Sequence, residues 1–284
     1  MARVKERENF SYSSKDYKRR VGFLILLLVV LFSLFVFFLS TFIQEFIVEK
    51  VGLAPINTVL ITDCGSLDQA DTEYILQNNV TNIDTCFSIT ANNVVLNGQG
   101  NKAVYNNDGG NDKYGVKISG ANFSIIKDLT IEDGGAIEDG KGEFGIYIIN
   151  SFNTLVNSVH LFVDNSSSIM IVESNFTNIT NNILVSLSNS IQLTASSFSL
   201  LNNNTIINGL PFDDPAKNVR SIYLVSGSSF NSVSNNRIIS FSPNGFGIQL
   251  QGVFHNIFSD NNVTTLGDSG DALRLTSSST CNNS

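Results

Sequence analysis

Ser168–Asn182 reads SIMIVESNFTNITNN, and two patterns inside it recur along the chain. The first is a small residue followed by apolar, outward and apolar positions, here Ser168 to Ile171. It returns as GVKI at Gly115, GIYI at Gly145, SIQL at Ser190, SIYL at Ser221, GIQL at Gly247 and ALRL at Ala272, with CFSI at Cys86 as an earlier copy. From Gly115 onward the steps are 30, 23, 22, 31, 26 and 25 residues. A period of this size, with length variation held to one place, marks a solenoid in which each repeat is one supersecondary unit. Strand alternation turns Ile146 and Ile148 to one side and Tyr147 to the other. Four residues cannot bury their own apolar side. Parallel copies about 4.8 Å apart can, and they predict a column of Val116, Ile146, Ile169, Ile191, Ile222, Ile248 and Leu273.

The second pattern is a phenylalanine, an aliphatic residue three places on, then asparagines: FTNITNN at Phe176, FSLLNNN at Phe198 and FNSVSNN at Phe230. It reads as a corner. Phe123, Phe152, Phe176, Phe198, Phe230 and Phe254 are expected to stack, followed by inward Ile126, Leu155, Ile179, Leu201, Val233 and Ile257. Two residues further come Asp128, Asn157, Asn181, Asn203 and Asn235, with a one-residue slip to Asn261, as an inward polar ladder. Asparagine suits that turn because it tolerates left-handed backbone angles and bonds to the copy above.

The N-terminal part has a different composition. Val21 to Ile43 holds 23 residues without a charge, which as a helix at about 1.5 Å per residue crosses a bilayer. The stretch is longer than a signal-peptide core and no small-x-small cleavage site follows it, so it reads as an anchor in contact with lipid. Seven Lys or Arg against three acids in residues 1–20 place that basic segment in the cytoplasm and the rest outside the cell membrane. The formal net charge of −8 thus divides into +4 before the span and −12 after it, which excludes nucleic acid as a partner. Residues 44–58 form a linker. Residues 59–284, rich in Asn, Ser, Thr and β-branched residues, form one all-β domain, with 59–85 as its N-terminal cap.

These repeats resemble the right-handed parallel β-helix proteins of the pectate lyase-like superfold. The segment ITDCGSLDQADTEYILQNNVTNIDTCFSITANNVVLNG, Ile61 to Gly98, is similar to the opening of repeat-bearing archaeal surface proteins. The resemblance covers the chain from about Val59 and implies that substrates or glycans meet the strand that follows the variable loop. The expected architecture is an all-β, right-handed parallel β-helix of about eight coils, preceded by one transmembrane α-helix.

Chemistry is confined to outward positions and loops, because the inner columns are apolar. Ser88, Lys117, Tyr147, Met170, Gln192, Tyr223, Gln249 and Arg274 form an outward strip. Among them Lys117, Tyr147, Gln192, Tyr223, Gln249 and Arg274 are candidate glycan ligands. The strip has no carboxylate, whereas a glycosidase needs two flanking the bond. The variable loops, 101–114, 132–144, 208–220 and 264–271, are acidic, and Glu132, Asp133, Glu138 and Asp139 are candidate calcium ligands, although no EF-hand spacing is present. Cys64 and Cys86, about one coil apart, predict a disulfide in an oxidising compartment. Of eight N-x-S/T sequons after the span, Asn165 in a variable loop is the best placed for a glycan and Asn203 is expected to be hidden. The last coil, from Ala272, ends on one strand without a polar cap, an edge open to self-association.

The function expected is a surface-displayed structural or adhesive module meeting glycans or neighbouring surface proteins. A calcium-dependent polysaccharide lyase is the alternative.

Overall fold

The computed structural model describes residues 57–106, 112–135, 143–164, 167–209, 219–276 and, as backbone, 281–283. Residues 1–20, the apolar stretch 21–43 and most of the linker lie outside the described residues. Linker residues 57 and 58 do not: the first strand, Asn57–Ile61, already includes them.

Every described ladder is parallel, and the strands fall into three sheets. The first runs through nine strands from Gly65–Leu67 to Leu273–Thr276, the second through ten from Asn57–Ile61 to Cys281–Asn283, and the third through eight from Val80–Thr81 to Asn262–Thr265. Each coil visits the three in turn, as in Ser167–Val172, Asn178–Thr180 and Ile183–Ser186. Eight complete coils result among the described residues. Within residues 59–85, expected to form the N-terminal cap coil, Gly65–Leu67, Thr72–Leu76 and Val80–Thr81 make the first complete coil.

The first-sheet register places Val116, Ile146, Ile169, Ile191, Ile222, Ile248 and Leu273 directly over one another. All but Leu273, on the last rung, are buried. The small residue ahead of each has a steric cause. A Cβ on Gly115 would lie 2.3 Å from Ile131 Cγ2, and one on Gly247 would lie 2.2 Å from Val263 Cγ1. At this corner the third-sheet core of the same coil fills the space a larger side chain would need. Cys64 and Cys86 occupy this same column one coil apart, with their Cα atoms 4.6 Å apart, and are joined in a disulfide. Cys64–Leu67 is therefore an earlier copy of the motif, in which cystine replaces the small residue.

The corner differs from expectation in three ways. The aromatic rings do stack, with centroids 5.1 Å apart for Phe176–Phe198 and 5.3 Å for Phe198–Phe230, but they stand on the outside. Phe198 is 50% exposed and Phe230 53%. Second, the last ring of the row is His255, not Phe254. Phe152 and Phe254 sit one position early, so Asn153 and His255 take the left-handed angle that Phe123, Phe176, Phe198 and Phe230 take in the other coils. The inward residues in those coils are accordingly Val156 and Phe258 rather than Leu155 and Ile257. Asn and His enter left-handed space more readily than Phe, and register with the neighbouring rungs fixes which residue must do so.

Third, the inward polar ladder uses the second asparagine of each pair. Asn181, Asn203 and Asn235 take the left-handed turn and face solvent; in the Leu155–Asn157 coil Ser158, not Asn157, takes it, and in the last coil Asp260 does. Behind them Asn182, Asn204 and Asn236 are buried. Asn204 Oδ1 accepts from the backbone N–H of Asn182 at 3.0 Å, and Asn204 Nδ2 donates to Asn236 Oδ1 at 2.9 Å and to the Ile179 carbonyl at 2.9 Å. The next rungs repeat this through Asn236 and Asn261. The Asn203 sequon is exposed as a result, contrary to expectation.

Asn204→Ala should cost about 2 to 3 kcal/mol, because it orphans buried donors and acceptors on both sides. Asn203→Gly should stay within about 0.5 kcal/mol. Phe176→Ala should cost only about 1 to 2 kcal/mol, since its ring is half-buried. Denaturant titration of the three variants tests this order; a costlier change at Asn203 than at Asn204 would reverse the assigned faces.

Candidate functional site

The outer face of the first sheet carries the predicted strip. Ser88, Lys117, Tyr147, Met170, Gln192, Tyr223, Gln249 and Arg274 are successive register partners, one per rung. Its first part is aromatic. Tyr147 stacks on Tyr114 at 5.1 Å and on Phe144 at 5.2 Å, and Lys117 Nζ lies 5.2 Å from the Tyr114 ring centroid. Burial pushes the Tyr147 hydroxyl above its usual range, with a smaller contribution from Glu173.

Its last part is cationic. The Arg220 guanidinium sits 4.6 Å from the Tyr223 ring centroid and its Nε donates to Gln249 Oε1, while Arg274 lies 4.4 Å from the Phe246 centroid. The Tyr223 hydroxyl donates to Gln251. Gln249 is consequently buried under Arg220 and offers little to a ligand, while Arg274 is exposed. Arg220 and Phe246 belong to the site although the four-residue motif did not contain them; they lie on the extra strand residues that precede it, Arg220 and Phe246 being direct partners.

The variable loops all leave from one edge. Each joins the end of a third-sheet strand to the next first-sheet strand, for example Lys102–Tyr105 to Tyr114–Ser119 and Thr130–Asp133 to Phe144–Ile149. Glu138, Asp139 and Asn165 lie outside the described residues. The proposed pairing of Glu132 with Asp133 on one ion does not hold, because successive strand residues face opposite sides. Glu132 faces out and pairs with Lys102 at 2.9 Å. Asp133 shares the inward parity of Ile131 and is the register partner of buried Tyr105.

Around Asp133 other acids gather. Asn106 Nδ2 donates to Asp133 Oδ1 at 3.2 Å, as does the Gly135 N–H at 3.0 Å, and Asn106 also hydrogen-bonds Glu143. Burial raises the carboxyl groups of Asp133 and Glu143, opposed by these hydrogen bonds; Asp164 adds to the rise at Asp133, and Asp133 to that at Glu143. Burial and then Glu132 raise Asp164. Burial, followed by the charges of Asp133, Glu143 and Asp164, pushes the Tyr105 hydroxyl well up. Among the described residues, no three of His, Cys, Asp and Glu converge on one metal position.

A different exposed surface runs along the third sheet. Phe162, Val185, Ile207 and Ile239 are outward register partners on four successive rungs, and Phe162 is 43% exposed. Alternation makes this row legible in HLFV, ILVS, TIIN and RIIS, each with an apolar residue at an outward position.

Comparison with known proteins bears mainly on architecture. Residues 75–283 match the model of a family described as periplasmic copper-binding protein (NosD). A search of curated proteins finds no match. Among solved structures, the chain is similar to a hyperthermoactive exopolygalacturonase from Thermotoga maritima, with a TM-score of 0.53 and 9% identity over 78% of this chain and 68% of that one. It also matches a tailspike protein of E. coli bacteriophage HK620, solved in complex with pentasaccharide, at a TM-score of 0.39 and 10% identity over 84% of this chain and 61% of that one. At such identities the likeness concerns the fold alone.

The raised carboxyl groups carry a pH signature. Asp133, Glu143 and Asp164 hold protons more tightly folded than unfolded, so the stability they contribute is full below the unfolded carboxyl range and is lost as pH rises through the raised folded values. Asp133→Asn should therefore gain on the wild type as pH rises from about 4 to 7, measured by denaturant titration in chelator-containing buffer. A constant difference across that window would contradict the assignment.

Proposed function

The chain belongs to the family of the periplasmic copper-binding protein NosD, a family of right-handed parallel β-helices, and from that premise we propose that it is a surface-displayed binding module, anchored through residues 21–43 with its N-terminus in the cytoplasm. On this reading the outer face of the first sheet engages glycans. The third-sheet row of Phe162, Val185, Ile207 and Ile239 meets neighbouring surface proteins.

The observation that carries the glycan reading is the make-up of one face. In a region of net charge −12, the strip from Lys117 to Arg274 holds cations and aromatic rings and no carboxylate. Rings under guanidinium groups hold those groups in place for hydroxyl or carboxylate oxygens of a sugar. The absence of a carboxylate from the strip favours retention of a glycan over its hydrolysis.

Among the described residues, no set of side chains fits copper. Copper sites are built from imidazole, thiolate and thioether donors. Among the described residues the histidines are His160 on the third sheet and His255 at a corner four coils away, about 19 Å at the sheet spacing. Cys64 and Cys86 are tied in the disulfide, and Met170 stands alone on the strip. No step involving copper is assigned to this chain.

The test is a panel of neutral and acidic polysaccharides offered to the full chain in detergent, with and without calcium. Retention without cleavage is expected, weakened at least tenfold by combining Lys117→Ala with Arg274→Ala. Release of unsaturated products in calcium would replace the binding module with a polysaccharide lyase.

A further inference from the structure

The corner between the third and first sheets contains oxygens that lack a counterpart. Three consecutive coils contribute: Tyr105 and Asn106 from one, Asp133 from the next, and Glu143 and Asp164 from the third. Tyr105 is fully buried and its hydroxyl has no hydrogen-bond partner, although Asp133, Glu143 and Asp164 all act on it electrostatically. Asn106 is 1% exposed; its Nδ2 serves Asp133 and Glu143, and its Oδ1 has no partner. A buried amide oxygen left unpaired is destabilising unless something satisfies it.

The sign of the missing species follows from its surroundings. Asn106 Oδ1 and the carboxylates of Asp133 and Glu143 are acceptors only, so an anion is excluded. Positive charge nearby is sparse: Lys113 acts on Glu143, and Lys102 is engaged by Glu132 on the outer face. Nitrogen and sulfur donors do not take part. Such an oxygen-only set suits a hard cation, which combines carboxylate, amide and water oxygens and does not need three carboxylates from the protein.

We propose that this corner is a binding site for a hard divalent cation of the calcium class, with Asp133, Glu143 and Asn106 Oδ1 as ligands, Tyr105 lining the position and Asp164 adding charge behind them. Asp133 and Tyr105 belong to the inner column of the third sheet, whereas the strip is the outer face of the first. The bound ion would tie three adjacent coils together at the edge where the variable loops depart.

Calorimetry on the full chain in detergent, stripped with chelator and titrated with calcium chloride, tests the site. One ion per chain is expected, with Asp133→Asn and Glu143→Gln each weakening it at least tenfold and Asp268→Asn, on an exposed loop, leaving it unchanged. No binding by the wild type overturns the proposal, and so does binding that survives the combined Asp133→Asn and Glu143→Gln substitutions. Should those variants fail to fold, the wild type still decides. Terbium bound here must luminesce on tyrosine excitation, be displaced by calcium, and dim in Tyr105→Phe; a signal indifferent to Tyr105→Phe places the ion elsewhere. Failure of this site leaves glycan retention by the strip untouched, so the two readings stand or fall separately.

Discussion

Parallel hydrogen bonding between rungs fixes each residue directly over its equivalent in the coil below, and almost every other feature follows from that constraint. A rung of four to six residues has too little apolar area to exclude water from its inner side. Held in register, Ile146, Ile169 and Ile191 cover one another, and the burial that no rung achieves alone is shared along the stack. The same register turns single asparagines into a continuous chain of amides through Asn182, Asn204 and Asn236. It also makes a face out of isolated outward residues, so that Lys117 and Arg274, far apart in sequence, belong to one strip.

The core-facing alternation was legible from sequence because its period is two and its errors are costly. All seven members of the first-sheet column could be named in advance, and so could the disulfide, whose cysteines repeat at the coil spacing. The corners were less legible. There the backbone leaves the strand and a one-residue offset changes which side chain turns inward. Phe152 and Phe254 obey the spacing of their neighbours in type but not in place, and only the hydrogen bonds to adjacent rungs reveal that Val156 and Phe258 are inside. Likewise, a pair of asparagines does not announce which one bends the chain and which one fills the interior.

The candidate sites divide along the same line. The strip was visible as a list of outward residues, yet its electrostatics depend on Arg220 and Phe246, which precede the motif, and on Gln249 being covered by Arg220. At the acidic corner, sequence proximity misled, because Glu132 and Asp133 are adjacent but face opposite sides. The residues that gather round Asp133, namely Tyr105, Asn106, Glu143 and Asp164, come from the coils on either side of it and share no spacing rule. Their oxygens are strained by burial among like charges, which the strip avoids by having no acid.

The disulfide near the first rungs also has a mechanical meaning. Any pull applied through the residues before Asn57 would begin by peeling the strand Asn57–Ile61 off its neighbour Thr72–Leu76. Past Cys64 the load no longer runs along the backbone; it crosses the sulfur bridge to Cys86 and enters the second coil. Residues 65–85 are thereby shielded from tension, and unravelling stalls at a covalent clasp until a reductant opens it.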